Sequence, residues 1–139
     1  MKPIVSAALG IEVQFYDLDP MNVVWHGNYP RFFEAVRRAL MRDIGYGYEA
    51  MKLSGFMWPV IDMHVRYYRP LTLATRAEIT ASIVEWENRL KINYLIRDID
   101  SGRKLTTGHT VQVAVDMATE EMKWRSPPVL FEKLAPYLP

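Results

Sequence analysis

Phe15-Tyr16-Asp17-Leu18-Asp19-Pro20-Met21-Asn22-Val23-Val24-Trp25-His26-Gly27-Asn28-Tyr29 changes character several times within one short stretch. It opens on two aspartates, runs through residues that break regular structure, and ends where a helical period begins. Pro20 has no N–H to give to a strand ladder, Asn22 tolerates positive φ, and Gly27 accepts any turn the backbone needs before the helix. Asn28 is a candidate N-cap, and Pro30 sits in the first turn, where a missing N–H costs little. From about Tyr29 to Ile44 the residues Tyr29, Phe32, Phe33, Val36, Leu40 and Ile44 share one helical face, with Ala35 and Ala39 small enough for close packing beside it. Arg31, Glu34, Arg38 and Arg42 make the polar stripe, and Glu34 and Arg38 are spaced for an i,i+4 ion pair. Gly45 and Gly47 end the helix. A carboxylate just ahead of a helix N-terminus marks a candidate site, because unpaired backbone N–H groups there can hold a developing negative charge.

Outward from this stretch, the totals exclude several function classes. The chain has 139 residues and is read as one domain, residues 1–139. Half of it is apolar, enough for a real core, and a net charge of +1 is not the basic footprint of a nucleic-acid binder. The absence of cysteine removes disulfides, thiolate metal ligands and a cysteine nucleophile. His26, His64 and His109 lack the close spacing of a zinc site, so no metal is expected. No apolar run approaches the roughly 18 residues that span a bilayer, and the N-terminal segment does not read as a secretory signal. A cytoplasmic location away from membranes is therefore expected.

Ile11, Val13 and Phe15 alternate with Glu12, Gln14 and Tyr16, which predicts a half-buried strand leading into the loop. Tyr48 to Leu53 predicts a short helical turn. Beyond Trp58 the period becomes that of strands: Val60–Arg69, Arg76–Trp86, Arg89–Ile99 and Arg103–Met117, with Val111, Val113 and Val115 alternating in the last. Asp100-Ser101-Gly102 is a hairpin signal, and Pro127-Pro128 precedes a short C-terminal helix over Val129–Leu138. One strand, one long helix and four strands predict an α+β fold with a five-stranded antiparallel sheet wrapped around one long central helix. Such a sheet leaves edges uncovered, so a homo-oligomer is expected, a dimer or a tetramer.

The pattern Asp17-x-Asp19-Pro20-x-Asn22-Val23-Val24-Trp25-His26-x-Asn28-Tyr29, followed by Arg31-Phe32-Phe33-Glu34, resembles the 4-hydroxybenzoyl-CoA thioesterase-like acyl-CoA thioesterases of the hotdog fold. The resemblance covers nearly the whole chain in strand order and length. It implies hydrolysis of an acyl-CoA or acyl carrier protein thioester, with no cofactor beyond the coenzyme A carried by the substrate. It assigns catalysis to Asp19 and to the backbone N–H of His26, which polarises the thioester carbonyl. Where relatives usually carry glycine, this chain has Asn22, and the loop path and acyl-pocket shape depend on that position.

A thioester suits so sparse a site. Its thiolate leaving group, with a pKa near ~8.5, departs at neutral pH without a dedicated proton donor. Asp19 can serve as general base or as nucleophile through a mixed anhydride, and the sequence does not choose between them. Asn22, Val24, Trp25, Tyr29 and Glu34 are candidate substrate-binding residues, and Phe33, Trp58 and Tyr67 are further aromatics that a pocket could use. Asp17 is assigned to holding the loop. Arg89, Lys91, Arg103 and Lys104 flank a hairpin and are candidates for the CoA phosphates. His64 reads as solvated or ion-paired, and His109, sharing a face with Val111 and Val113, as a core or interface histidine. Two other functions remain open: a hotdog 3-hydroxyacyl-thioester dehydratase pairing His26 with Glu34 of another chain, and a non-catalytic acyl-thioester-binding protein.

Overall fold

The computed structural model describes residues 2–139. Strand β1 (Val5–Ile11) is followed by a loop containing 3₁₀ turns at Phe15–Asp17 and His26–Asn28, and then by α1 (Tyr29–Asp43) and α2 (Tyr48–Ser54). Next come β2 (Phe56–Met57), β3 (Val60–Tyr67), β4 (Ala77–Glu85), β5 (Leu90–Asp98), β6 (Lys104–Gln112), β7 (Val115–Asp116) and α3 (Pro128–Leu134). The main sheet is antiparallel with order β1-β4-β5-β6-β3, and β2 and β7 pair separately. No helix among the described residues is long and apolar enough to cross a membrane.

The first strand lies earlier than the alternation suggested. It stops at Ile11, and Phe15 and Tyr16, expected to continue it, stand about four-fifths exposed on a 3₁₀ turn. The turn forms because the Asp17 carboxylate accepts the Gln14 N–H and closes the backbone locally. That local hydrogen bond competes successfully with extension into the sheet.

Helix α1 begins and ends where its sequence dictates, although Asn28, the expected N-cap, makes no side-chain cap hydrogen bond and turns its amide to the Asp17 carbonyl instead. Pro30 occupies its first turn, and Gly45 takes a φ of 78° just beyond its end. Its buried residues include the expected Tyr29, Phe32, Phe33, Val36 and Leu40, but also Met41 and the guanidinium-bearing Arg37. Ala35 is exposed and packs against nothing in the sheet. The helix lies chiefly across β1 and β4. Phe33 reaches toward the middle of the sheet and stacks on Tyr94 of β5, with ring centroids 4.2 Å apart and planes 2° from parallel.

Strand β6 corrects the face assignment made from its valines. Its core-facing residues are Thr106, Gly108, Thr110 and Gln112, which pair across β5 with Ile96, Tyr94, Ile92 and Leu90. His109 and Val111 point to the opposite face of the sheet. Two of these polar side chains find partners in the core: the Thr110 hydroxyl bonds to the Tyr94 phenol at 2.7 Å, and the Gln112 amide donates to the Trp58 carbonyl at 2.7 Å, while the buried Thr106 hydroxyl has none. Gly108 is required by close approach, since a Cβ there would lie 2.5 Å from the His64 carbonyl and 2.7 Å from the Phe33 ring.

On the outer face, His109 lies between Asn93 and His64, and the two imidazoles stack at 5.4 Å. Burial, the positive charge of Lys91, and His64 and Arg89 hold the His109 pKa below its ordinary value, with Asp62 opposing them. As pH falls through about 6.5 the unfolded chain therefore binds this proton first, and stability drops until the lower folded-state pKa is passed. Thermal melts between neutral and mildly acid pH are expected to show this loss, and His109→Gln is expected to reduce it. Gly108→Ala is expected to destabilise the fold by about 1–3 kcal/mol in denaturant titration, because neither the strand backbone nor the stacked Phe33 ring can move aside cheaply.

Candidate active site

The loop between β1 and α1 is held by Asp17. Its side chain is only 2% exposed, and its carboxylate accepts the Gln14 N–H at 2.9 Å and the guanidinium of Arg31. Its backbone carbonyl accepts the Trp25 N–H at 3.0 Å and the Asn28 side-chain amide at 2.9 Å. One residue thus joins the start of the loop, its exit and the first turn of α1. Trp25 folds over Gly27, where a Cβ would come within 2.4 Å of the indole carbons at two points, so a larger residue there would displace the indole.

Two residues on, Asp19 opens a turn. The Asn22 N–H donates to the Asp19 carbonyl and the Asp19 N–H to the Val23 carbonyl, with Asn22 at a φ of 63°. Asparagine adopts this left-handed conformation at little cost, so the turn closes without the glycine usual at that position. The carboxylate oxygen Oδ1 accepts the Met21 N–H at 2.8 Å and, more weakly, the Val23 N–H at 3.4 Å. Oδ2 makes no hydrogen bond to any described residue. The side chain is therefore held through one oxygen, with the other left available.

Asp19 and His26 line the same cavity, of about 300 Å³, together with Val23, Val24, Tyr29, Tyr67, Tyr68, Arg69 and Pro70. The His26 N–H opens a 3₁₀ turn and finds no backbone acceptor, as expected for the first amides of a helical segment. The Tyr67 hydroxyl donates to the His26 carbonyl at 2.7 Å, and the Tyr67 ring meets that of Tyr29 edge-on at 4.8 Å. Burial raises the pKa of both phenols, so these groups act at neutral pH as hydrogen-bond donors.

Of the substrate-binding candidates, Val24 and Tyr29 line this cavity, whereas Asn22, Trp25 and Glu34 do not. Asn22 shapes the turn and Trp25 covers Gly27. Glu34 lines a second, more apolar cavity of about 350 Å³ with Arg37, Arg38, Tyr48, Met41 and Met51 among its walls. Its partners are the Tyr48 hydroxyl, at 2.6 Å, and the buried Arg37, not the expected Arg38. Arg37 is the buried one of the two arginines, its side chain 8% exposed, whereas Arg38 faces solvent. Trp58 lines this second cavity, and Phe33 belongs to the core.

The four candidate phosphate ligands do not form one group. Arg89 is paired with Glu85 and Lys91 lies beside His109, while Arg103 and Lys104 lie at the opposite end of β5. Nine strand residues separate the two ends, a span of roughly 27 Å at 3.4 Å per residue. Val23, Tyr68, Arg69 and Pro70 were not singled out from sequence; Val23 closes the Asp19 turn, and the other three reach the site because β3 ends there, a pairing no local pattern encodes. Among the described residues no cluster of three or more His, Cys, Asp or Glu side chains is placed to hold a metal ion. Arg31→Ala is expected to strand the Asp17 carboxylate away from water, costing about 1–3 kcal/mol in denaturant titration and lowering kcat/KM for thioesters through the displaced loop.

A family model described as the thioesterase-like superfamily matches residues 13–135. A Synechocystis protein with a provisional esterase name (sll0410) is 32% identical over 125 residues, covering 89% of this chain and 75% of its own length. The acyl-CoA thioester hydrolase YbgC of Escherichia coli O157:H7 is 30% identical over 73 residues, 52% of this chain and 54% of its own. In fold, the chain resembles a DHNA-CoA thioesterase of Staphylococcus aureus with a TM-score of 0.82 at 24% identity, over 94% of this chain and 89% of that one. The chain belongs to the thioesterase-like superfamily and is a thioester hydrolase of the hotdog fold.

Proposed function

We propose that the chain hydrolyses acyl-CoA thioesters at the cavity lined by Asp19 and His26. The observation that carries this reading is that one cavity is lined by both Asp19, with a carboxylate oxygen that has no partner, and His26, whose backbone N–H has no backbone acceptor. A thioester carbonyl bound there develops negative charge as it is attacked, and the His26 amide supplies the donor. One such donor contributes about 10²–10³ in rate in comparable sites. The Asp19 Oδ2 either attacks the carbonyl carbon, giving a mixed anhydride that water cleaves, or takes a proton from an attacking water. The tetrahedral intermediate then collapses with loss of the thiolate.

The dehydratase reading needs a second acid–base group beside His26. Glu34 has one oxygen bound by Tyr48 and the other by Arg37, which leaves it poorly equipped for proton transfer. Hydrolysis asks nothing of it.

Strand β3 supports association. Every residue in it except Val65 is exposed, and it lies at the sheet edge. Unpaired edge strands of this length are normally covered. Antiparallel pairing of β3 with a second copy would set the Asp19 cavity, at its Tyr67 end, beside the partner's methionine-lined cavity, at its Val60 end. A homodimer with composite acyl pockets follows as part of this reading.

Asp19→Asn and Asp19→Ala are each expected to lower kcat by about 10² or more with the melting temperature nearly unchanged, measured by thiol release from acyl-CoA. Near-normal turnover in either variant would remove Asp19 from the chemistry. Single-turnover hydrolysis in heavy-oxygen water probes the two roles: an ordinary oxygen in the product acid requires an anhydride opened by water at the Asp19 carbonyl, whereas water attack at the substrate's acyl carbon delivers a heavy one.

A further inference from the structure

Besides its amide, His26 offers a carbonyl, and the sheet takes hold of it. In an α-helix that carbonyl would accept the N–H four residues on, but here the residue is Pro30, which has none. A lone pair is left for another donor. The Tyr67 hydroxyl fills the place, donating to the His26 carbonyl at 2.7 Å from the last residue of β3.

Tyr67 is itself well held. Its backbone stands opposite Thr106 of β6, and the next two N–H groups, of Tyr68 and Arg69, both donate to the Leu105 carbonyl at 2.9 and 3.1 Å. Its ring meets that of the buried Tyr29 edge-on at 4.8 Å. The same segment grips the loop a second time, where the Leu71 carbonyl accepts the Val24 N–H at 2.8 Å. The end of β3 and the residues after it therefore hold the loop on either side of Trp25.

The amide at stake is the N–H of the Trp25–His26 peptide. Its carbonyl end is occupied inside the turn, accepting the Asn28 N–H at 2.9 Å, and in a planar trans peptide the N–H is directed the opposite way. The next peptide, His26–Gly27, has the freer backbone, since glycine accepts positive as well as negative φ. The bond from Tyr67 restrains that unit, and through the His26 Cα it restrains the amide before it. An oxyanion donor contributes fully only when its aim is fixed before the reaction begins.

We propose that Tyr67 is a positioning residue for thioester hydrolysis, its hydroxyl holding the His26 carbonyl so that the His26 N–H stays aimed at the reacting carbonyl oxygen. This inference rests on the hydrolase reading and goes beyond it, because it makes the donor depend on the end of an edge strand as well as on its own loop. Tyr67 itself touches no reacting atom.

The test is Tyr67→Phe in the full chain, which keeps the ring against Tyr29 and removes only the hydroxyl. Thiol release from acyl-CoA is expected to fall about tenfold in kcat with KM nearly unchanged, because the lost stabilisation belongs to the transition state. A trifluoromethyl ketone analogue of acyl-CoA, which mimics the tetrahedral oxyanion, is expected to bind about tenfold more weakly to the variant. The matching thioether, which has no carbonyl at that position, is expected to bind both proteins equally. In the free protein, nitrogen–proton correlation spectra are expected to show the His26 and Gly27 amide signals displaced in the variant, with the melting temperature nearly unchanged. Unchanged kcat, a loss confined to KM, or equal weakening of both analogues overturns the proposal. Amide signals that stay in place while kcat falls also overturn it, by giving the hydroxyl a direct role. Wild-type protein that releases no thiol from any acyl-CoA defeats the hydrolase reading and this inference with it. An active wild-type chain with an unimpaired Tyr67→Phe variant defeats this inference alone.

Discussion

The site depends on the burial of one carboxylate. A charged group taken out of water must be paired and hydrogen-bonded, or the structure around it opens. Asp17 meets that demand with Gln14 and Arg31 on its side chain, and its carbonyl gathers Trp25 and Asn28. These partners come from the strand exit, the loop and the helix, so the loop has one arrangement that satisfies them all. Asp19, two residues farther on, inherits its position from that arrangement. Asp17 builds the loop, and Asp19 is left with a free oxygen.

Packing of the helix sets where cavities can exist. Phe33 lies on Tyr94 and above Gly108, while the body of α1 lies over β1 and β4. The helix is therefore off-centre on the sheet, and the inner side of β3 is left largely uncovered. Met63 and Tyr67 remain exposed there, and a cavity opens toward each end of the strand. A sheet centred on its helix would close both. The same asymmetry leaves β3 exposed at the edge of the sheet.

Where the sequence misled, competing local forces explain why. Phe15 and Tyr16 continue an alternating pattern, yet the Asp17 carboxylate turns the backbone before the strand reaches them. In β6 the valines mark the outer face, because the face beneath α1 needs a glycine for clearance and hydroxyls that Tyr94 can satisfy. Periodicity reports which residues are apolar, not which side of a sheet the helix takes. Glu34 pairs with Arg37 rather than the expected Arg38, and it is Arg37 whose side chain is buried, which helical spacing alone does not tell.

By itself the sequence determined the long helix, its start and stop, the strand series after it, and the acidic turn before it. These are local matters, governed by side-chain period, proline and glycine constraints and hydrogen bonds between near neighbours. Tertiary structure alone decided that Tyr67, Tyr68 and Arg69 would line one cavity with Asp19 and His26, and that Glu34 would face a different one. Those choices follow from the pairing of β3 with β6 across more than thirty intervening residues. Strand register over such a distance is set by the packing of the whole core, which no single stretch of the chain contains.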